Sequence, residues 1–361
     1  MNILSLSHDP LPDSRVEKAA YTAKKKGYTV FFAGPRVFSF AYPVKVFKQT
    51  YSIPFQRKAN LKIPPYWNRL KKSLKKVILE CKPDLIHAHN IIAGKLACEL
   101  DIPFVYDDHE YWSISADAKR KTKLYHILSH PYKKWLIKRW EKEILEKASA
   151  IITTTKTVAI EHRNYNSHVF VVPNFPSLVE SKKIKLNVVE IKHLSSVYLG
   201  NDLSQSQPYR NVIGLTEIFK QNNVGTLTII GDKKLPTNQP IISLGFLPHQ
   251  KMMKELTKHH LGLIPWKKHW LHKYKDPNKP YEYAHAGLLT ISTSSMTNVV
   301  INLKEFIKTI EDYKDLLELL IYYSDNLIEL LEMKPKIRNY ALKNLIWEKN
   351  ESKILEAYSK C

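Results

Sequence analysis

Short apolar runs alternate along the chain with longer segments in which apolar residues recur every three or four positions. Residues 2–7 form the first apolar run, and residues 14–26 follow with the spacing of an amphipathic helix. Gly27 is placed to end that helix, and residues 28–33 are apolar enough to form a second strand. This order of strand, helix and strand predicts a βαβ unit with two parallel strands.

The same alternation continues through the chain and falls into two series. A polar, lysine-rich stretch at residues 180–192 separates them and is interpreted as the connection between two domains. The sequence therefore predicts an α/β protein with two successive doubly wound domains and a ligand cleft facing the strand ends. Further strands are predicted at residues 84–88, 103–106, 150–154 and 169–172, and then at 196–200, 227–231, 242–245, 261–264 and 289–292.

The charge of the chain is lopsided, with 56 Lys and Arg against 34 Asp and Glu and a formal net charge of +22. This excess indicates an anionic partner, for which nucleic acid, an anionic lipid surface and a phosphorylated substrate all qualify. No apolar run reaches the ~18 residues of a spanning helix, and the first residues lack the pattern of a secretory signal. Cys81, Cys98 and Cys361 have neither metal-ligand nor disulfide spacing, so the sequence predicts a cytoplasmic protein.

The most informative segment is residues 277–295, whose pattern predicts a loop, a short helix, a glycine break and a buried strand. Lys279 lies near the predicted helix start, where a cation adds to the partial positive charge of free N–H groups and favours an anion. Glu282 lies one turn further, where its carboxylate can accept hydrogen bonds from the two vicinal hydroxyls of a ribose. The alternative is a capped surface helix that leads into a core strand.

This segment resembles the nucleotide-sugar site of the retaining GT-B glycosyltransferases of family four. Asn278, Lys279, Glu282, Tyr283 and Gly287 match the family pattern in place. The resemblance implies that all five contribute to donor binding and that Lys279 stabilises the leaving diphosphate. Many members carry an acidic residue eight positions before the matching Glu, and this chain has Tyr274 there.

Further positions acquire roles through the resemblance. Gly200 and Arg210 match the strand, turn and helix that hold the donor diphosphate, for which a planar guanidinium is well suited. The usual Gly-Arg pair is Gly200-Asn201 here, so Arg210 and Lys279 are expected to supply the positive charge. Asp232 follows Gly231 in a turn near the base, which is weak evidence. The alternative for Arg210 is a solvated residue at a helix start.

Two candidates lie in the first domain. Arg15 is expected to face the cleft and bind the donor, the alternative being a helix capped by Asp13 or Ser14 with an exposed arginine. His109 follows a strand among three carboxylates and matches the family histidine beside the transferred sugar, so it is a candidate catalytic residue. The alternative is a loop histidine with a structural role. Packed histidines are the expectation for His87 and His89.

The sequence contains no motif that is typical of a metal site or a cofactor site. An Asp-x-Asp motif for a divalent ion and zinc-ligand spacing are both absent, so no metal site is predicted. No strand is followed by a Gly-x-Gly-x-x-Gly fingerprint, which argues against a nicotinamide enzyme, and no cofactor is expected.

Two basic stretches with aromatic residues, 66–78 and 119–142, fall in the first domain. A basic amphipathic helix with aromatics suits an anionic membrane interface. The alternative is a surface helix whose apolar stripe covers the sheet. Their joint location favours peripheral docking on the inner face of a membrane.

The resemblance covers nearly the whole chain and implies a hexosyltransferase-type glycosyltransferase. It implies metal-independent, retaining transfer of a sugar from a nucleotide diphosphate-sugar to a glycan or lipid-linked acceptor. Residues 1–178 are predicted to bind the acceptor and residues 179–345 the donor, with residues 346–361 forming a helix that crosses back. Two alternatives stay open, a nucleotide-sugar epimerase of the same fold and a basic nucleic-acid-binding protein. Since none of the nucleic-acid motifs occurs, no nucleic-acid partner is predicted.

Overall fold

The chain forms two compact units in a computed structural model. Unit 1 contains Met1–Asp117, Thr122–Pro173 and Asn350–Cys361, and unit 2 contains Asn174–Lys349. The structure describes residues 1–361 except 43, 56–63, 118–123, 183, 187–192, 201–211 and 232–237.

Unit 1 alternates strands and helices as its sequence pattern predicts. Asp13 caps its first helix by accepting hydrogen bonds from the backbone N–H groups of Arg15 and Val16, so of the two candidate caps it is Asp13 that fills the position. The elements in chain order are β1 (Asn2–Ser7), α1 (Ser14–Lys25), β2 (Thr29–Gly34), β3 (Gln49–Ser52), α2 (Pro64–Cys81), β4 (Leu85–His89), α3 (Asn90–Ala97), β5 (Phe104–Asp108), α4 (Trp112–Asp117), α5 (Leu124–Lys147), β6 (Ala150–Thr153), α6 (Lys156–His162) and β7 (Val169–Val171).

The seven strands of unit 1 form one parallel sheet in the order β3-β2-β1-β4-β5-β6-β7. The order reverses between β1 and β4, where the chain leaves the two strands in opposite directions across the sheet. Ligand sites of open parallel sheets lie outside the carboxyl ends at such a point. Here those ends are Ser7 of β1 and His89 of β4, both buried.

Unit 2 has the same kind of architecture. Its six strands are parallel in the order β10-β9-β8-β11-β12-β13, and the order reverses between β8 and β11. The elements are α7 (Leu178–Ser181), β8 (Ser195–Leu199), α8 (Val212–Asn222), β9 (Thr226–Ile230), β10 (Ile241–Gly245), α9 (His249–Leu256), β11 (Leu261–Ile264), a 3-10 helix (Trp270–Tyr274), α10 (Lys279–His285), β12 (Leu289–Thr293), α11 (Thr297–Leu303), a 3-10 helix (Lys304–Phe306), β13 (Ile307–Ile310), α12 (Tyr313–Asp325) and α13 (Leu327–Asn344).

The end of the chain is less regular than the helix predicted over residues 346–361. After α13 the chain passes through a 3-10 helix (Trp347–Asn350) into α14 (Glu351–Tyr358). Helix α14 belongs to unit 1, where Glu351 pairs with Lys25 of α1 at 2.6 Å.

Candidate active site

A pocket of about 280 Å³ opens in unit 2 where β8 and β9 end. Gly200 and Gly231, which follow these strands, line it, and the start of α10 adds Asn278, Lys279 and Glu282. Its remaining lining is apolar, including Phe246, Leu247 and Met252. We call it the Glu282 pocket. An apolar wall with a few convergent polar groups is typical of small-molecule sites.

Lys279 is held beside two aromatic rings in this pocket. Its Nζ atom lies 5.0 Å from the ring centroid of Tyr198 and 5.3 Å from that of Trp266. The Trp266 indole donates a hydrogen bond of 3.3 Å to the Tyr198 hydroxyl, which fixes the two rings together. Cation–π contacts of this kind orient the ammonium group without neutralising its charge. The positive charge of Lys279 is therefore held in the Glu282 pocket, near the point where the strand order of the unit 2 sheet reverses.

Glu282 lies in the first turn of α10 with 12% of its side chain exposed. Its Oε1 atom is 3.2 Å from Nε2 of His249, the first residue of α9. The histidine holds one carboxylate oxygen and so limits the rotation of the side chain. No sequence pattern connects His249 with Glu282, because 33 positions separate them.

Gly200 lines the Glu282 pocket, whereas two other predicted donor residues, Tyr283 and Gly287, do not. Tyr283 is buried, accepts a hydrogen bond of 2.9 Å from the N–H of Leu199 and lies 3.3 Å from the carbonyl oxygen of Leu263. It therefore ties α10 to β8 and β11 from inside the core rather than lining the pocket. A side chain at Gly200 would meet the ring of Tyr198 at 2.6 Å, so the close approach there requires glycine.

Gly287 ends α10 with a φ of +76°. A Cβ atom there would lie 2.7 Å from the carbonyl oxygen of Lys334 in α13. Both the left-handed backbone and this close packing demand glycine. The structure thus gives Gly287 a role in shaping the helix end and places it away from the lining of the Glu282 pocket.

The loop that presents Lys279 is fixed by a buried aspartate that sequence reasoning missed. Asp276 accepts hydrogen bonds from the backbone N–H of Asn174 at 2.7 Å and from the hydroxyl of Tyr281. The side chain of Asn174 in turn donates to the carbonyl oxygen of Asp276 at 2.7 Å. Asn174 lies in a Pro-Asn-Phe-Pro segment, which was the available signal. The aspartate does not replace the missing acidic residue, because both its carboxylate oxygens serve this scaffold.

Three residues near the predicted donor site, Arg210, Asn201 and Asp232, lie outside the described residues. Tyr274, at the position of the missing acidic residue, is buried at the end of the 3-10 helix, with Lys273 5.0 Å from its ring.

Unit 1 carries a second cluster at the carboxyl ends of β4 and β5. Arg15, buried rather than exposed, places Nε and Nη2 on Asp107 at 2.8–3.1 Å and donates to the carbonyl oxygen of Val172 at 2.9 Å. Burial opposes ionisation of Asp107, but the guanidinium of Arg15 and the nearby His109 lower the pKa of this carboxyl well below its usual range. Neither interpretation of Arg15 describes its position in full. Asp13 caps the helix, as one of them held, but the arginine is buried and pairs with Asp107 inside unit 1.

His109 follows β5 and lies 3.6 Å from Oδ2 of Asp107 and 3.2 Å from Nδ1 of His89. Its other ring nitrogen is 3.5 Å from the side-chain amide of Asn90. Burial opposes the charged form, but the Asp107 carboxylate outweighs it and the pKa of His109 is raised. We call Arg15, His87, His89, Asp107 and His109 the histidine cluster. The raised pKa favours the protonated form of His109, as a group that donates to a sugar hydroxyl requires.

Imidazole nitrogens of His87 and His89 and a carboxylate oxygen of Asp107 lie within 4.8 Å of one another, a spacing that three ligands of a metal ion could have. The guanidinium of Arg15 contacts both oxygens of Asp107, so a divalent cation would meet a fixed positive charge at its carboxylate ligand. We therefore assign the trio to a hydrogen-bond network.

The loop that carries His109 is held from below by Glu141 of α5. This buried carboxylate accepts hydrogen bonds from the N–H groups of Trp112 and Ser113 at 3.0 and 3.2 Å. Burial, together with the neighbouring charge of Asp108, raises the pKa of Glu141 to about 7. A carboxyl group with a raised folded pKa stabilises the fold fully below its unfolded pKa of about 4.5 and loses that contribution as the pH rises to about 7.

We therefore expect Glu141→Gln to gain thermal stability relative to the wild type as the pH rises. The difference between the Tm at about pH 8 and the Tm at about pH 5 should be more positive in the variant, because the amide cannot ionise. Differential scanning calorimetry of both proteins measures it. Glu146→Gln, an exposed position on the same helix, is the control. Equal Tm differences in wild type and Glu141→Gln would contradict the expectation.

Comparisons with known proteins fit this geometry. Residues 16–177 match the family model Glycosyltransferase Family 4. No curated protein matches the chain significantly. Sucrose-phosphate synthase from Thermosynechococcus elongatus is similar in structure, with a TM-score of 0.73, 13% identity, and coverage of 99% of this chain and 98% of that one.

Two other solved structures bear on the choice of function. Anabaena Alr3699/HepE in complex with UDP-glucose has a TM-score of 0.67 and 13% identity, with full coverage of both chains. A structure described as a UDP-N-acetylglucosamine 2-epimerase from Listeria monocytogenes has a TM-score of 0.61 and 11% identity over 99% of this chain and 95% of that one. At such identities these likenesses establish the fold.

The family match lies in unit 1, and the likeness of fold extends through unit 2. The two parallel sheets predicted from the strand pattern are therefore those of the GT-B architecture. Residues 16–177 are therefore similar to the family-four glycosyltransferases, and the chain has the GT-B fold.

Proposed function

We propose that the protein is a glycosyltransferase that moves a hexosyl group from a nucleotide diphosphate-sugar to a glycan or lipid-linked acceptor, with retention and without a metal ion. The observation that carries the proposal is the Glu282 pocket, in which a carboxylate and an ammonium group converge at the switch point of the unit 2 sheet. The bound UDP-glucose of the Anabaena structure supports a donor of this class.

The pocket offers one polar group for the ribose of such a donor and another for its diphosphate. The Glu282 carboxylate, steadied by His249, accepts hydrogen bonds from the two ribose hydroxyls. Lys279 supplies positive charge to the diphosphate, and its aromatic neighbours hold that charge in place. Arg210 is proposed to share this role. The apolar side chains of Phe246, Leu247 and Met252 offer a surface for the base.

The proposed reaction breaks the bond between the anomeric carbon and the phosphate oxygen of the donor. The acceptor hydroxyl attacks the same carbon from the face that the diphosphate leaves, and its proton passes to a phosphate oxygen. The products are a nucleoside diphosphate and a glycoside of unchanged anomeric configuration. Lys279 stabilises the charge that develops on the leaving group, which is electrostatic catalysis. His109 in unit 1 is assigned to the transferred sugar.

Incubation of the purified protein with UDP-, GDP-, ADP- and dTDP-sugars tests the proposal. A donor at about 100 times its Kd should add roughly 2.7 kcal/mol to the free energy of unfolding and raise the Tm. Product analysis then separates two activities, because an epimerase converts the sugar nucleotide alone while a transferase releases the nucleoside diphosphate. Conversion to an epimer without release of diphosphate would favour the second candidate, which the Listeria structure suggests.

A membrane-facing acceptor is proposed from an exposed aromatic pair on α5. Tyr132 and Trp135 are 53% and 52% exposed and stack at 5.9 Å between ring centroids. Arg139 lies over the Trp135 ring at 5.5 Å, and Lys138 and Lys142 are exposed on the same helix. Aromatic side chains with adjacent cations suit the interface of an anionic bilayer.

Helix α2 contributes charge to this surface, while most of its apolar side chains are buried. Leu70, Leu74 and Val77 are buried in the core of unit 1, so its apolar stripe covers the sheet, as the alternative interpretation held. Trp67 packs against Trp140 of α5 at 5.4 Å, which places the two basic helices side by side. Among the described residues, no helix is long and apolar enough to cross a bilayer.

We expect the double substitution Tyr132→Ser and Trp135→Ser to weaken binding to vesicles that contain anionic lipid by about tenfold or more. Each ring buries apolar area in the interface, and a loss of ~1.4 kcal/mol is tenfold. Vesicle flotation at two salt concentrations measures it. Tyr322→Ser, an equally exposed tyrosine in unit 2, should leave binding unchanged. Absence of wild-type binding to anionic vesicles would contradict the membrane proposal.

A further inference from the structure

The last helix of the chain places a tyrosine under the histidine cluster. Helix α14 lies in unit 1 and buries Tyr358, whose hydroxyl oxygen is 2.9 Å from Nδ1 of His87. The opposite ring nitrogen of His87, Nε2, lies 3.5 Å from Oδ2 of Asp107. His109 lies 3.6 Å from the same carboxylate oxygen. Nδ1 of His89 is also 3.6 Å from this oxygen, so one oxygen of Asp107 faces three histidines, and Tyr358 contacts His87.

The chemistry of these groups fixes where the protons lie. Ionised Asp107 only accepts hydrogen bonds, so the Nε2 atom of His87 that faces it carries a hydrogen. Burial lowers the pKa of His87, which is consequently neutral and has an unprotonated Nδ1. Burial also raises the pKa of Tyr358, so its hydroxyl keeps its proton and donates it to Nδ1.

The second branch of the network leads to His109. Burial lowers the pKa of His89 well below its usual range, so His89 is neutral and accepts at Nδ1 from Nε2–H of His109 at 3.2 Å. The other nitrogen of His89 then donates to the hydroxyl of Ser5 at 3.1 Å. The groups that face His109 are thus Asp107, His89 and the amide of Asn90, while Arg15 and Asp13 act through their charges.

We propose that Tyr358 is a positioning residue for His109. Its hydroxyl holds the proton of His87 on the side of Asp107, and this hydrogen bond sets how much of the carboxylate remains for His109. The inference rests on the proposed role of His109 at the transferred sugar, but its structural part can be tested without substrate.

Tyr358→Phe removes only the hydroxyl and is the first test. Without that donor, Nδ1 of His87 is free to carry the proton, and the fraction of His87 whose Nε2 proton faces Asp107 at 3.5 Å should fall. The freed carboxylate then interacts more strongly with His109, whose titration should move to higher pH. Nitrogen-15 NMR of histidine-labelled protein without ligand measures the tautomer of His87 and the titration of His109. Asp107→Asn should move the same titration to lower pH.

Lys353→Met is the matched control on the same helix. Lys353 ties α14 to the carbonyl oxygen of Val171 at 3.0 Å and makes no contact with the histidine cluster in the described structure. It tests whether loosening α14 alone changes His109. A shift of the His109 titration in Tyr358→Phe and not in Lys353→Met supports the proposal. An unchanged His87 tautomer and His109 titration in Tyr358→Phe would overturn it.

Activity supplies a second readout that depends on the proposed function. The basic limb of the kcat profile, on which His109 loses its proton, should move to higher pH in Tyr358→Phe, with KM for the donor changed less than kcat. A role in packing alone would lower the Tm and leave the profile in place. If the wild type transfers no sugar, the proposed function fails, while the NMR result still decides the positioning of His109.

Discussion

Glu282→Gln is expected to weaken donor binding about 10- to 100-fold while leaving the fold intact. The amide keeps the size of the carboxylate but loses its charge, and a hydrogen bond to a charged group contributes about 1.5–3 kcal/mol. The two ribose hydroxyls would lose their shared acceptor, since one amide oxygen replaces two carboxylate oxygens. Isothermal titration calorimetry with the nucleotide-sugar that stabilises the wild type measures the loss.

The control for this variant is Glu255→Gln on the neighbouring helix α9. Glu255 pairs with Lys258 at 2.6 Å and does not line the Glu282 pocket. Its substitution should leave the Kd unchanged. If Glu282→Gln binds the donor as tightly as the wild type, the carboxylate does not hold the ribose. The hydrogen bond to His249 would then be structural, and Glu282→Gln should show only a change in Tm.

Lys279→Met is expected to lower kcat by about 100- to 1000-fold. Removing one group that stabilises transition-state charge has an effect of this order in other enzymes. The methionine side chain retains the packing of the lysine stem against Tyr198 and Trp266, so the pocket should keep its shape. Release of the nucleoside diphosphate under saturating donor and acceptor measures kcat, and binding of the donor is measured separately.

Lys268→Met serves as the control, because this exposed lysine pairs with Glu311 at 2.7 Å and lies outside the Glu282 pocket. A fall in kcat larger than the loss of donor affinity would place Lys279 in the transition state. A loss of stability with unchanged kcat would instead show that the ammonium group serves only to hold the two rings.

The arrangement of the Glu282 pocket was partly predictable from local spacing. Lys279 and Glu282 lie three positions apart, so one helical turn brings both to the same end of α10 regardless of the rest of the fold. Tyr283 belongs to the same local pattern, yet its side chain points into the core because β8 and β11 pack behind α10. A motif therefore predicts the backbone position, while the neighbouring strands decide which side chain meets the ligand.

Arg15 shows the same limit more strongly. Its place at the start of α1 suggested either a donor contact or an exposed side chain, and both interpretations assumed that no partner lay nearby. The partner is Asp107, which is 92 positions later and reaches Arg15 only because β1 and β4 are neighbours and β5 lies beside β4. Sequence spacing cannot reveal a pair of this kind, since the parallel sheet joins strands in an order different from that of the chain.

Local patterns in the sequence were enough to predict the α/β class, the two series of strands, Asp13 as one of two candidate caps, and the placing of Lys279 and Glu282 at one helix end. These features depend on periodicity and on residues within one or two turns of each other. The buried pair of Arg15 and Asp107, the contact of His249 with Glu282 and the position of Tyr358 under His87 became visible in the folded chain. Each of these joins residues far apart in the chain, and burial makes such pairings specific because an unpaired polar group in the core is costly.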